Sequence, residues 1–534
     1  MLSLKEGFDK YPKPKGITYS YGTAGFRYIG DLLDSVAFKV GIIASLRSMS
    51  LGGKTIGIVI TASHNPPEQN GVKVIDPMGE MLPQEWEPFA NDFANSGTFE
   101  EFQKYIMDKL DQVPDQRAKP RVILARDTRA SGPRLLKAAL DGVAVINGTA
   151  TDFGKLTTPQ LHYLTRCFND PAFGRNTEEG YYSKLITTAR KILSLYGFKS
   201  LPEVTVDTAN GIGGDKLRKL DSLSDVLSFS VINGKTDHPD LLNVDCGADY
   251  VKTQQKLPAE LQKSSPKPDQ LYSSFDGDAD RVVCYFVDGK TDKFRLLDGD
   301  RIATLFASFL GSLLKQLDGV DITMGIVQTA YANGSSTKFI REKLKLPVYF
   351  TPTGVKHLHH RAQQFDVGIY FEANGHGTVL FSKKYTSVLN GFLAQATDQK
   401  QKIAAQTLLL LSDLINQTVG DSISDLVTVL VALKVMGKSV NSWGADYTEL
   451  PNRLYKLKVK DRGVFTTTDA ERKLVSPQGL QVEIDEEVSR HRQGRSFVRA
   501  SGTEDAVRVY AEAETEEECH RLGEGVCKLV QRFS

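Results

Sequence analysis

Three times in this chain an apolar run ends abruptly in a short loop of small and polar residues, and no other feature limits the fold as much. "TIGIVI" at 55–60 runs into "TASHNP", "QLYSSF" at 270–275 into "DGDADR", and "DVGIYF" at 366–371 into "EANGHG". A short apolar run bounded by turn formers reads as a buried strand. The residues after the first loop, Gly71 to Ile75, read as a second short strand. Between these runs, β-like and helical patterns alternate, which predicts α/β layers. In open α/β sheets ligands gather beyond the carboxyl ends of the strands. Three such loops, each about a domain apart, predict three similar mixed α/β domains facing one central cleft.

The last hundred or so residues have another texture. "YKLKVKD", "GLQVEID", "SFVRAS" and "AVRVYAEAE" read as strands, and Thr515 to Phe533 reads as an amphipathic helix. This predicts a C-terminal α+β domain. A length of 534 residues is too long for one core and suits several domains. Plausible hinges are "FGRNTEEGYY", the turn Leu296–Asp300 and the stretch Met436–Lys438. They divide the chain at 1–178, 179–297, 298–437 and 438–534.

Charge narrows the partners. Lys and Arg number 66 against 65 Asp and Glu, and no strongly basic domain stands out, so nucleic acid is not expected. The N-terminus lacks an apolar core and a cleavage site, and the greasiest stretches are too short to span a bilayer, so no signal, no membrane and a cytoplasmic location are expected. Five scattered cysteines without a CxxC pair point to reduced thiols. No obligate protein partner is evident.

Several familiar patterns fail on inspection. "SMSLGGKT" has Ser48 where a Walker loop needs its first glycine, and it precedes a strand. "ANGIGGDK" has Lys216 where a dinucleotide fingerprint needs its third glycine. TASHNP lacks the glycines of a nucleophile elbow. DGDADR opens like an EF-hand but has Arg281 and Val287 at the glycine and glutamate positions.

The loops themselves carry chemistry. Asp276, Asp278 and Asp280 alternate, so a tight turn can aim three carboxylates at one point. Such a cluster repels itself unless a hard cation sits there, and Mg²⁺ is the usual choice for phosphate work. "RASGTED" at 499–505 offers a guanidinium, two hydroxyls and a glycine, with Arg508 beyond. That composition suits a phosphate cradle, and equally a polar turn with a capping hydroxyl. In EANGHG, Glu372, Asn374 and His376 alternate, as a grip on sugar hydroxyls would need; a glycine turn with a surface histidine fits as well. Opposite a metal loop, Ser63 of TASHNP becomes a candidate phosphoryl carrier, with Arg27, Lys73 and Arg281 to balance charge.

On these motifs, in this order, the chain resembles the α-D-phosphohexomutase family over essentially its whole length. TASHNP resembles the phosphoserine loop, DGDADR the Mg²⁺ loop, and EANGHG the sugar loop of the N-acetylglucosamine branch. RASGTED resembles the phosphate loop of the fourth domain, "YGTAGFR" at 21–27 the N-terminal segment, and "TPTGVKHLHH" at 351–360 the third-domain loop. The resemblance implies Ser63, His64, Lys73, Arg27 and His376 as catalytic. It implies Ser63, Asp276, Asp278 and Asp280 as metal ligands. Arg281, Thr353, Gly354, Lys356, Glu372, Asn374, Arg499, Ser501, Gly502, Thr503 and Arg508 are implied to bind substrate. It further implies Mg²⁺, a sugar 1,6-bisphosphate as primer, and transfer of phosphate between O6 and O1 of a small sugar phosphate. The alternatives are a broader mutase acting on glucose or mannose phosphates, or a sugar-phosphate phosphatase with water as acceptor.

Overall fold

The computed structural model describes residues 2–115, 117–501 and 505–533. The chain forms two compact units: Met1–Leu296 with Leu410–Val435, and Leu297–Leu409 with Met436–Ser534. The chain therefore passes from one unit to the other three times. Among the described residues no helix is long and apolar enough to cross a membrane.

The first unit holds two sheets. The six-stranded sheet runs Tyr21–Gly22, Gly25–Ile29, Gln69–Ile75, Thr55–Ile60, Arg121–Arg126, Thr149–Lys155 in space. Thr55–Ile60 lies at its centre, antiparallel to Gln69–Ile75 and parallel to Arg121–Arg126, and all its residues are buried. Burial on both faces explains its unbroken apolar run. Ile56, Ile58 and Ile60 enter the core with the helix Asp34–Ser50. On the other face Gly57 admits the helix Thr158–Asn169, where an added Cβ would stand 2.5 Å from Thr165 Oγ1. The helix Asp34–Ser50 is buried nearly all round, so its apolar residues form no single stripe. It crosses the helix Gly132–Ala144 so closely that a Cβ on Gly142 would lie 1.9 Å from Phe38 O.

The second sheet orders Lys293–Leu297, Val282–Asp288, Tyr272–Phe275, Val204–Asp207, Phe229–Ile232. In the second unit a four-stranded sheet orders Val348–Phe350, Met324–Gln328, Val367–Phe371, Gly377–Phe381. All three sheets share one plan. Three parallel strands stand side by side, and the third is followed in space by an antiparallel partner. That last antiparallel pair is a hairpin closed in turn by TASHNP, DGDADR and EANGHG. In the first sheet the hairpin precedes the other two parallel strands in the chain; in the other two sheets it follows them. The repeated strand-then-loop pattern of the sequence is thus one hairpin used three times, within three similar mixed α/β domains.

The C-terminal domain is α+β. Asn452–Lys458, Ala506–Glu512 and Arg495–Ala500 form an antiparallel sheet in that spatial order, covered by the helices Leu480–Ser489 and Glu516–Phe533. Here one expectation fails. "GLQVEID" is the helix Leu480–Ser489, not a strand. Leu480 and Ile484, four apart, are fully buried, whereas Val482 between them is 62% exposed. The alternation of apolar residues was real, but only the i, i+4 pair meets the core.

Candidate active site

Strand Thr55–Ile60 delivers its carboxyl end at Thr61, and the chain turns back through Ser63. Ser63 takes a left-handed backbone, with φ of 54°, a conformation that costs a non-glycine residue roughly 1–2 kcal/mol. The surroundings enforce it. Thr61 Oγ1 accepts the Ser63 N–H at 3.0 Å and donates to Asp127 Oδ2 at 2.8 Å. Arg129, with a side chain shut off from solvent, donates from Nη2 to Ser63 O and Asn65 O and from Nη1 to Pro66 O and Gln69 O. Its Nε bonds Asp127 Oδ2 at 3.0 Å. A guanidinium has five N–H donors, and all five are spent on this loop and its aspartate. Asn243 adds a second donor to Ser63 O, at 2.9 Å.

Strand Tyr272–Phe275 brings in the aspartate loop. Ser63 Oγ donates to Asp276 Oδ2 at 2.6 Å and lies 3.3 Å from Asp280 Oδ1. Oxygens of Asp276, Asp278 and Asp280, all buried, come within 4.8 Å of one another. Burial, then the charges of Asp280 and Asp278, push the Asp276 carboxyl well above the ordinary range. Lys73 Nζ approaches Asp280 and Asp278 at 3.5 and 3.6 Å, and Arg281 Nε approaches Asp280 and Asp276 at 3.8 and 3.9 Å. Asp278 Oδ2 is taken by the Thr158 hydroxyl at 2.5 Å, while its Oδ1 is buried without a hydrogen-bond partner. A buried acceptor without a donor, set among like charges, is what a hard cation satisfies. The donor set, all carboxylate and hydroxyl oxygen, fits Mg²⁺.

The remaining residues of this unit fall into place around that cluster. Arg27 Nη1 bonds Asn65 Oδ1 at 3.0 Å. His64 has its pKa pushed down to about 2 by burial and by Arg281 and Arg27, so its imidazole is neutral and can only exchange hydrogen bonds. The aspartate loop is backed by residues far along the chain. Ser422 N donates to Ala279 O at 3.0 Å, and its hydroxyl donates to Arg281 O at 2.6 Å. Asp421 just before it is held by Tyr181 and Asn416. This explains why residues 410–435 belong to the first unit.

In the second unit Glu372, Asn374 and His376 sit on one tight hairpin loop. Asn374 Oδ1 accepts the His376 N–H at 3.0 Å, and Asn374 Nδ2 lies 3.4 Å from Glu372 Oε2. Gly375 turns the loop with φ of 92°. The helix Gly299–Leu314 starts against it; a Cβ on Gly299 would lie 1.9 Å from Glu372 O. Gly354 precedes the helix Val355–Ala362, whose first turn carries Lys356. In the C-terminal sheet Lys456 stands opposite Arg508, and Arg508 opposite Arg499. Directly opposite residues share a face, and like charges so placed destabilise a sheet. Lys456, Arg508 and Arg499 thus stand in one cross-strand row that leads to Ser501. Gly502 and Thr503, also expected there, lie outside the described residues.

Sequence reasoning missed Asp127, Arg129, Asn243 and Ser422. For the first two a signal existed: "DTR" follows the strand Arg121–Arg126, the same strand-then-polar-loop pattern on the neighbouring parallel strand. For Asn243 and Ser422 there was none, because each reaches the site only through tertiary packing.

Comparison with known proteins fits this geometry. Residues 298–438 and 172–283 match the family models for domains III and II of phosphoacetylglucosamine mutase AMG1. Residues 46–101 and 88–174 match domain I, and 454–529 the C-terminal domain, of phosphoglucomutase/phosphomannomutase. Phosphoacetylglucosamine mutase of Candida albicans is 50% identical over 99% of this chain and 99% of its own. The chain belongs to the phosphoacetylglucosamine mutase family. Among solved members, an N-acetylglucosamine-phosphate mutase of the α-D-phosphohexomutase superfamily in its substrate complex is 50% identical, with a TM-score of 0.94 over 99% of this chain and 100% of that one. The Aspergillus fumigatus N-acetylphosphoglucosamine mutase in complex with GlcNAc-6P and magnesium is 46% identical, with a TM-score of 0.93 over 99% of both chains. A serine-to-alanine variant of the Aspergillus phosphoacetylglucosamine mutase is known in complex with glucose 1,6-bisphosphate.

Proposed function

We infer that this chain interconverts N-acetylglucosamine 6-phosphate and N-acetylglucosamine 1-phosphate, with Ser63 as the phosphoryl carrier. The observation that carries this reading is Ser63 Oγ at 2.6 Å from Asp276 Oδ2, within the three-aspartate cluster. Relatives of the same length solved with substrate and with product support it. The product would feed UDP-N-acetylglucosamine synthesis, in the cytoplasm, where thiols such as the five free cysteines stay reduced.

Each transfer exchanges one bond for another. The bond from phosphorus to Ser63 Oγ breaks as the bond to O1 forms, and the O1 proton leaves to a base. The resulting 1,6-bisphosphate turns over; the bond to O6 then breaks as the bond to Ser63 Oγ forms again, and O6 recovers a proton. A glucose or N-acetylglucosamine 1,6-bisphosphate would prime the cycle by the second step alone. Phosphoryl transfer asks chiefly for alignment and charge. Arg129, Thr61 and Asn243 align Ser63. Lys73, Arg27 and Arg281 supply positive charge, His64 a neutral hydrogen bond, and Lys73 and His376 are the acid and base. Asp276, Asp278 and Asp280 would hold Mg²⁺, which when bound neutralises charge on the transferring group. Thr353, Gly354, Lys356, Glu372 and Asn374 would grip the sugar. Arg499, Ser501, Gly502, Thr503 and Arg508 would hold the phosphate that is not reacting. The division at residues 178, 297 and 437 assigns one loop to each domain.

The test is coupled turnover of N-acetylglucosamine 6-phosphate against glucose and mannose 6-phosphates, with and without a bisphosphate primer. Primed turnover of the N-acetyl sugar is expected to be fastest. Ser63→Ala is expected to lose several orders of magnitude in kcat while staying folded. Near-normal turnover by Ser63→Ala would sink the carrier mechanism.

A further inference from the structure

We propose that Glu471, at the tip of a hairpin in the C-terminal domain, is a positioning residue that sets the enzyme's grip on the phosphate that is not reacting; this rests on the function proposed above. The hairpin pairs Thr466–Thr468 with Lys473–Ser476. Its tip holds three successive left-handed residues, Asp469, Ala470 and Glu471, with φ of 52°, 55° and 65°. None is a glycine, so the turn is strained and persists only because its surroundings fix it. Those surroundings are the substrate loops. One carboxylate oxygen of Glu471 accepts the N–H of Thr353 at 2.9 Å and its hydroxyl at 2.5 Å. The other accepts from Arg499 Nη1 at 3.1 Å. Arg472 beside it stacks its guanidinium 4.1 Å from the centre of the Phe350 ring. From the base of the same excursion, Arg462 Nη1 donates to Ser501 O at 3.1 Å.

The hairpin therefore ties the third-domain loop at Thr353 to Arg499 and Ser501, at the start of the phosphate cradle. The charge pattern gives the tie a purpose. Arg499 stands directly opposite Arg508 in the sheet, and like charges so placed repel. Tyr331 OH holds Arg499 Nε at 3.0 Å, and the Glu471 carboxylate holds Nη1. The guanidinium plane is thus set before a phosphate arrives, and less ordering cost falls on binding. The same phosphate site serves both orientations of the sugar, so this contribution is uniform along the reaction. Loss of uniform binding raises KM and leaves kcat alone.

Steady-state kinetics of the full chain tests this with Glu471→Ala, Glu471→Gln and, as a hairpin control, Val475→Ser, whose side chain is exposed. Glu471→Ala is expected to raise KM for N-acetylglucosamine 6-phosphate about tenfold with kcat within about twofold. Glu471→Gln, which keeps an acceptor for Thr353 but loses the charge facing Arg499, should fall between. Val475→Ser should match the parent. Competition by inorganic phosphate and by glucose 6-phosphate should weaken in parallel in Glu471→Ala, and these read the clamp whatever sugar the enzyme prefers. A KM within about twofold of the parent would overturn the proposal, as would a KM that falls, which would make Glu471 a rival of the phosphate. A loss confined to kcat would also overturn it.

Discussion

Arg129 and Lys39 are both buried cations, and they are solved differently. Arg129 places its five donors on five acceptors, four of them carbonyls of the Ser63 loop. Arg129→Lys keeps the charge but offers three donors on a flexible stem. Carbonyls left unpaired cost roughly 1–3 kcal/mol each, and a nucleophile displaced by about 1 Å can cost on the order of 10²-fold in rate. Arg129→Lys is therefore expected to lower both the melting temperature and kcat, with kcat falling on the order of 10²-fold; unchanged kcat in a destabilised protein would confine Arg129 to the fold. Lys39 instead meets only two carbonyls, Ala94 O and Ser96 O, at the end of a helix. Burial, with Lys13 adding to it and Glu101 opposing it, pushes its pKa down to about 7 from 10.5. Between those values the unfolded chain binds a proton that the folded one does not, so stability rises with pH across that window. Below it both states are charged, and the folded state bears the full cost of a buried ammonium. Melting temperature should climb from pH 7 towards 9, and Lys39→Met should remove that climb.

At the level of elements, the loops are built to close tolerances. A Cβ on Gly277, between Asp276 and Asp278, would stand 2.7 Å from Ser63 O and 3.1 Å from Asn243 Nδ2. Gly277→Ala should separate the serine and aspartate loops, cutting turnover on the order of 10²-fold and weakening Mg²⁺ binding in a titration, with secondary structure by circular dichroism unchanged. Such loops were legible in the sequence because a strand that stops dead in Asp and Gly has few structural uses. The same signal stands in "DTR", but a three-residue loop with a single carboxylate does not set itself apart from an ordinary polar turn. The helix Leu480–Ser489 was misread because alternation over seven residues satisfies both periods, and burial of Leu480 and Ile484 against exposure of Val482 settles it only in three dimensions. Glu471 left no trace in the sequence at all, since a hairpin tip of charged residues is an ordinary surface turn until its partners are known.

For the whole molecule, two compact units give Mg²⁺ a definite thermodynamic signature. The three aspartates all lie in the unit Met1–Leu296 with Leu410–Val435. A ligand bound only by the folded state stabilises it by mass action, about 2.7 kcal/mol at a hundredfold excess over Kd. In calorimetry, Mg²⁺ should raise the transition of that unit and leave the other in place, and Asp278→Asn should abolish the shift. A shift that survives Asp278→Asn would place the ion elsewhere.

The return of residues 410–435 to the first unit also bears on how the chain is made. Ser422 closes on Arg281 across 141 residues. A nascent chain that has just finished Leu296 already holds Ser63 and all three aspartates, yet lacks the segment that backs their loop. Domains fold largely in order of emergence during synthesis. The aspartate loop is then backed by Ser422 only after residues 297–409 of the second unit have been made. Translation would thus leave the three-aspartate loop unbacked until late, and a chain truncated at Leu409 should show native-like β-sheet with little affinity for Mg²⁺.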